Sequence, residues 1–81
     1  METRVAILAI VVSDPDSVEA LNQLLHEYGR HIIGRMGLPC KDKGISLISI
    51  AMDAPQNTIS ALSGKVGRLK GVTVKAVFAE V

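Results

Sequence analysis

Residues 24–40 of this 81-residue chain read LLHEYGRHIIGRMGLPC and contain both histidines, the only cysteine and the only tyrosine. A helical hydrophobic pattern ends in this stretch at Gly29, since glycine commonly follows the last turn of a helix. A strand pattern then covers His31–Met36, and Gly37-Leu38-Pro39 is expected to end that strand. The stretch therefore predicts a helix-to-strand connection that holds most of the candidate chemistry of the chain.

The segment before this stretch predicts a buried strand and the start of the helix. Val5–Val12 is apolar at every position, which is typical of a strand covered on both faces. Asp14 is a good N-cap, and Pro15 suits the first helical position. The residues that follow give the helix one apolar face, which consists of Val18, Leu21, Leu24, Leu25 and Tyr28.

The segment after the stretch has the same order of patterns. Residues Gly37–Gly44 predict a connection to a third apolar strand, Ile45–Met52. Asp53-Ala54-Pro55 repeats the chemistry of a helix start, and Val72–Val81 alternates as a final strand. The apolar face of the second helix consists of Ile59, Leu62, Val66 and Leu69.

Each half of the chain thus predicts a strand, a helix and a second strand. Two such units in succession give β-α-β-β-α-β, the ferredoxin-like sandwich. The sequence therefore predicts an α+β fold in one domain, residues 1–81, with an antiparallel four-stranded sheet and two helices on one face. Both crossover connections are expected to be right-handed.

The second face of that sheet is also apolar. The chain is 48% hydrophobic, and Ile45, Leu47 and Ala51 fall on the face opposite Ile48 and Ile50. One layer of helices covers one face only, and contiguous apolar surface commonly marks an interface. We therefore expect a homodimer or homotetramer, formed sheet to sheet or edge to edge. A monomer with an apolar surface is the alternative.

Several classes of function find no support in the sequence. A net charge of +1 gives no electrostatic case for nucleic acid or a membrane, and the first and third strands lack aromatic residues on which RNA bases stack. No apolar run approaches the roughly 20 residues of a membrane span. We find no catalytic arrangement and no cofactor motif, so we expect a non-enzyme. One cysteine fits a reducing cytoplasm.

Two candidate sites draw on the central stretch. Imidazole and thiolate ligands would let His26, His31 and Cys40 hold a metal, within one chain or between subunits. The alternative is that both histidines lie on the surface and Cys40 is a loop thiol. Guanidinium groups of Arg30 and Arg35 suit bidentate contact with a carboxylate, or with an acidic residue of another subunit.

Four segments carry a resemblance to a known family, namely Leu25–Gly29, Ile32–Pro39, Asp53-Ala54-Pro55 and Ile59–Lys65. In these segments the sequence resembles the iron-only hydrogenase system regulators, a family of small ACT-like proteins. The resemblance covers essentially the whole chain, and it implies a fold similar to ACT domains and to the C-terminal domain of the nickel-responsive regulator. ACT domains that bind amino acids commonly carry Asp-x-Pro-Gly at the first helix, where this chain has Asp14-Pro15-Asp16-Ser17.

The resemblance implies a cytoplasmic, non-enzymatic regulatory protein that senses a small ligand and forms oligomers through its sheet. It also implies a protein partner in hydrogenase regulation. The sequence contains no helix-turn-helix or ribbon DNA-binding motif, so we expect no direct binding to DNA. A metal-responsive sensor and a purely structural interaction module are the alternatives. The residues expected to line the ligand site are His26, Tyr28, Arg30, His31, Arg35 and Cys40.

Overall fold

The computed structural model describes residues 2–80, in which the strands and helices follow the order β-α-β-β-α-β. Short 3-10 turns cover Pro15–Ser17, Gly29–His31 and Lys41–Lys43. Neither helix of these residues is long and apolar enough to cross a membrane. The elements are β1 (Arg4–Val12), α1 (Val18–Glu27), β2 (Ile32–Cys40), β3 (Ile45–Ala54), α2 (Gln56–Gly67) and β4 (Val72–Phe78).

The four strands form one sheet in the order β2-β3-β1-β4, and every neighbouring pair is antiparallel. In β1, Leu8 lies opposite Ile50 of β3 and opposite Ala76 of β4. The predicted α+β, ferredoxin-like architecture with four antiparallel strands and two helices is confirmed.

Side-chain alternation along β1 separates the two faces of this sheet. Ala6, Leu8, Ile10 and Val12 are buried against the helices, where they share one core with residues of both α1 and α2. The alternate residues of β1 are exposed on the opposite face because no helix covers it. We call this second face the open face. Besides Val5, Ile7, Ala9 and Val11 of β1, it includes Leu47 and Ala51 of β3 and Val77 of β4.

The predicted end of the second strand at Gly37-Leu38-Pro39 is wrong. β2 continues to Cys40, and its register with β3 is regular from Gly34 onward. β2 is an edge strand, and a proline at a position that does not bond to the neighbour leaves the ladder intact. The irregularity lies instead between Ile32 and Gly34. The connection to β3 shortens to Lys41–Gly44, which ends in the left-handed residue Gly44.

The predicted ends of the helices are also partly wrong. The carboxylate of Asp14 accepts a bond of 2.9 Å from the backbone N–H of Asp16, so it caps the 3-10 turn and not α1 itself. The end of α1 agrees with the prediction, because Glu27 is its last residue, Tyr28 is its C-cap and Gly29 follows directly. Asp53 belongs to β3, and Pro55 occupies the N-cap of α2. The last strand ends at Phe78, and the expectation for Val81 lies outside the described residues.

Candidate ligand-binding groove

A groove runs between α1 and the edge strand β2. Gly37 and Pro39 lie on the helix-facing side of β2, opposite Ile48 and Ser46 of β3. A β-carbon built on Gly37 would meet nothing within 4 Å, so the glycine leaves space beside the helix. The groove therefore exists because the edge strand places small side chains where an inner strand would place large ones.

Two adjoining cavities make up this groove, with volumes of about 200 Å³ and about 170 Å³. They share Val18 at the start of α1, Pro39 of β2 and Ser46 of β3. Together they extend from Arg35 to the turn after Cys40. The remaining lining residues are Val12, Pro15, Lys41, Gly44 and Ile45 in the larger cavity, and Asn22, Gly37, Leu38 and Ile48 in the smaller one.

The charged side chains that line the groove are both cationic. Arg35 lines the smaller cavity and Lys41 lines the larger one, and no carboxylate of residues 2–80 lines either. Arg35 Nη2 donates a bond of 3.3 Å to Asn22 Oδ1, which ties the guanidinium to α1. Apolar walls with a few fixed polar groups are typical of small-molecule sites. Such a groove can accept a small organic anion, because guanidinium and ammonium groups bind carboxylate and phosphate.

Two of the six ligand residues predicted from sequence line this groove, and four do not. Arg35 and Cys40 line it, and Cys40 is a half-buried free thiol. His26, Tyr28, Arg30 and His31 lie at the other end of β2, where the chain passes from α1 into that strand. The structure therefore divides the predicted set between the two ends of the edge strand.

The second group has its own local structure. Tyr28 packs against the hydrophobic core, and its ring lies 5.1 Å from Lys65 Nζ of α2. Hydrogen bonding with the Tyr28 side chain is the main cause that raises the pKa of Lys65 above its ordinary value of 10.5. His26 and Arg30 are exposed, while His31 is half-buried. Tyr28 thus joins the two helices, and its ring serves packing.

The proposed metal ligands are not gathered within one chain. His31 directly precedes β2 and Cys40 ends it, and a strand of nine residues extends roughly 26–30 Å at about 3.3 Å per residue. Among residues 2–80, no group of three His, Cys, Asp or Glu side chains is placed to hold a metal ion. A site that uses His26, His31 and Cys40 together would therefore need a second chain.

Sequence reasoning missed most of the groove. Val18 appeared only as a core residue of the first helix, and Pro39 only as a strand breaker. A signal was present in the alternation of Arg35, Gly37 and Pro39, which share one face of an extended strand. Recognising it requires β2 to continue through the proline.

These features define the protein as a small α+β, ferredoxin-like domain with a groove beside its edge strand. Residues 4–76 match the family described as "TM1266-like: Iron-only hydrogenase system regulator, putative". The chain belongs to this family, as the resemblance in the sequence indicated. No curated protein matches it.

Two solved structures are similar to this chain. The uncharacterized protein TM1266 from Thermotoga maritima is 36% identical, with a TM-score of 0.94 over 98% of this chain and 100% of that one. CPII from Thiomonas intermedia K12 is 17% identical, with a TM-score of 0.51 over 99% of this chain and 100% of that one. CPII is a nitrogen regulatory PII-like protein bound to ADP, AMP and bicarbonate. At this identity, the second similarity shows the fold alone.

Membership of the family supports a regulatory role for this chain. The family description names a regulator and no catalysed reaction. The expectation of a regulatory protein therefore agrees with the family to which the chain belongs.

Proposed function

We propose that this chain is a homo-oligomeric regulatory module of an iron-only hydrogenase system, which senses a small organic anion in the groove between α1 and β2. The observation that carries the proposal is the pairing of apolar walls with the cationic residues Arg35 and Lys41. In this proposal, ligand binding alters the edge of the sheet and thereby the contact with a protein partner.

The groove suits a sensor because its two sides belong to different elements. α1 contributes Val18 and Asn22, whereas β2 contributes Arg35 and Pro39. Across the groove, the Arg35 guanidinium donates a solvent-exposed hydrogen bond of 3.3 Å to Asn22 Oδ1. An anion that competes for the Arg35 guanidinium would replace this long bond to a neutral amide with a stronger bond between two charged groups.

In this proposal the protein acts in the cytoplasm, as a homodimer or homotetramer that associates through the sheet. The free thiol of Cys40 supports a reducing compartment. The open face supports the oligomer, since Ile7 and Val77 are 47% and 65% exposed there.

A thermal-shift screen against amino acids, other small carboxylates and phosphorylated compounds tests the proposal. A ligand that binds only the folded state must raise the melting temperature. We expect at least one compound to raise the melting temperature of the wild-type protein, and to raise that of the Arg35→Ala variant much less. Arg30→Ala is the matched control, because Arg30 is an exposed arginine at the other end of β2.

The outcomes separate the two ends of the strand. Loss of the shift with Arg35→Ala alone supports the groove. If only Arg30→Ala abolishes the shift in melting temperature, the ligand binds at the end of β2 near His26 and Tyr28, and the groove is excluded as its site. A complete screen without any shift in the wild-type protein would count against ligand sensing.

A further inference from the structure

The open face carries a particular arrangement of charges around its centre. Four residues of the described strands are charged, and two of these, Arg4 and Arg35, do not lie on the open face. Arg4 stacks on Phe78 and bonds to Gln56 of α2. Arg35 bonds to Asn22 of α1. The other two, Asp53 of β3 and Lys75 of β4, are exposed on the open face. One acid and one base therefore interrupt an otherwise uncharged strand surface.

The strand register fixes where these two charges lie. Asp53 is opposite Val5, and Lys75 is opposite Ala9, so each is displaced by two residues from Ile7 of β1. The displacements have opposite directions, and the two charges lie on opposite sides of β1. Ile7 is thus the midpoint between Asp53 and Lys75 on the open face.

The two charges are too far apart to pair within one chain. They are separated by two strand spacings and four residues along the strand, which is about 10 Å across the strands and about 13 Å along them. A two-fold axis exchanges their positions if it lies between two facing sheets, passes over Ile7 and runs perpendicular to the line from Asp53 to Lys75. Under this symmetry, each aspartate of one copy meets the lysine of the other.

We propose that a second copy of this chain covers the open face, with Ile7 at the two-fold axis and each Asp53 facing Lys75 of the partner subunit. This inference specifies the oligomer interface of the proposed function and rests on it. Apolar contact alone leaves the register of two sheets undetermined, whereas the reciprocal charge pair selects one. The diagonal between the charges makes the strands of the two sheets cross nearer to a right angle than to parallel, as in orthogonal sheet packing.

Charge reversal tests this arrangement. Asp53→Lys places two lysines opposite each other at both contacts of the dimer, and Lys75→Asp does the same with two aspartates. We expect each variant to raise the dimer dissociation constant by about tenfold or more, measured by light scattering over a dilution series. Glu19→Lys is the control, because Glu19 is exposed on α1 and away from the open face.

Mixing the two variants gives the decisive result. A heterodimer of Asp53→Lys with Lys75→Asp restores opposite charges at both contacts, so the mixture should associate within about threefold of the wild-type protein. Recovery on mixing also excludes misfolding as the cause of weak association by the single variants. The double-reversal variant should form homodimers like the wild-type protein.

The results distinguish this inference from the proposed function. An oligomeric wild-type protein whose charge-reversal variants associate normally, or fail to recover on mixing, would overturn the arrangement and leave the regulatory module intact. A wild-type protein that is monomeric at all concentrations would overturn the arrangement and also the oligomeric part of the proposed function.

Discussion

Gly71 lies against Asp14 so closely that a β-carbon added to Gly71 would fall 2.6 Å from the Asp14 β-carbon and 3.0 Å from its backbone nitrogen. Gly71 also has a φ of +70°, which side chains rarely adopt. Its carbonyl accepts bonds from the backbone N–H and the hydroxyl of Ser13, at 2.7 Å and 2.9 Å. The turn before β4 is therefore held against the end of β1 next to the groove.

Gly71→Ala should lower the free energy of unfolding by about 2–4 kcal/mol, because it adds a steric clash to an unfavourable backbone conformation. Gly44→Ala is the matched control, since Gly44 has a φ of +66° but nothing within 4 Å of its added β-carbon. We expect a loss of about 1 kcal/mol there. Urea denaturation of both variants measures the difference, and equal losses would show that the contact with Asp14 contributes nothing.

Ser17→Ala should lower the free energy of unfolding by about 1–2 kcal/mol, because the buried Ser17 hydroxyl donates a hydrogen bond to the Lys70 carbonyl. Ser13→Ala is the control, because it also removes a hydroxyl that bonds to a carbonyl of the same turn, that of Gly71, but Ser13 is exposed. We expect a loss of about 0.5 kcal/mol or less for this control. Thermal unfolding of the two variants gives the comparison, and a larger loss for Ser13→Ala would contradict the assignment.

Gly37→Ala should leave the stability within about 0.5 kcal/mol of the wild-type protein, because the added β-carbon meets nothing within 4 Å. It should nevertheless lower the affinity for any anion found in the screen, since Gly37 lines the groove. Gly34→Ala is the control: its β-carbon also meets nothing, and Gly34 lies on the other face of β2. Calorimetric titration of both variants with the same anion checks this, and equal affinities would place the ligand elsewhere.

Tyr28→Phe should lower the pKa of Lys65 toward 10.5, since hydrogen bonding with the Tyr28 side chain is the main cause that raises it. A raised pKa in the folded state adds stability below the unfolded value, and this is lost as the pH rises through the folded value. The variant and the wild-type protein should therefore converge in stability at pH values above the pKa of Lys65. A titration of the Lys65 side chain by NMR measures the shift, and an unchanged pKa would contradict the contact.

The order of the strands and helices along the chain, and the fold they form, could be predicted from the sequence. The continuous apolar run of β1 and the helical spacing around Leu21 and Ile59 are local patterns, and the buried core contains residues from each of them as expected. Family membership also followed from sequence, because residues 4–76 carry its pattern. Such features depend on neighbours within a few positions along the chain, so inspection of the sequence finds them.

The groove and the charge pattern of the open face could not be predicted in this way, because both depend on contacts between segments that are distant in sequence. β2 continues through Pro39 because it is an edge strand, and its edge position follows from pairing with residues of β3. The placement of Asp53 and Lys75 on either side of Ile7 likewise arises from the registers of β1 with two strands that are distant in sequence. Strand order and register are set by the packing of the whole sheet on its helices, which no local stretch of sequence specifies.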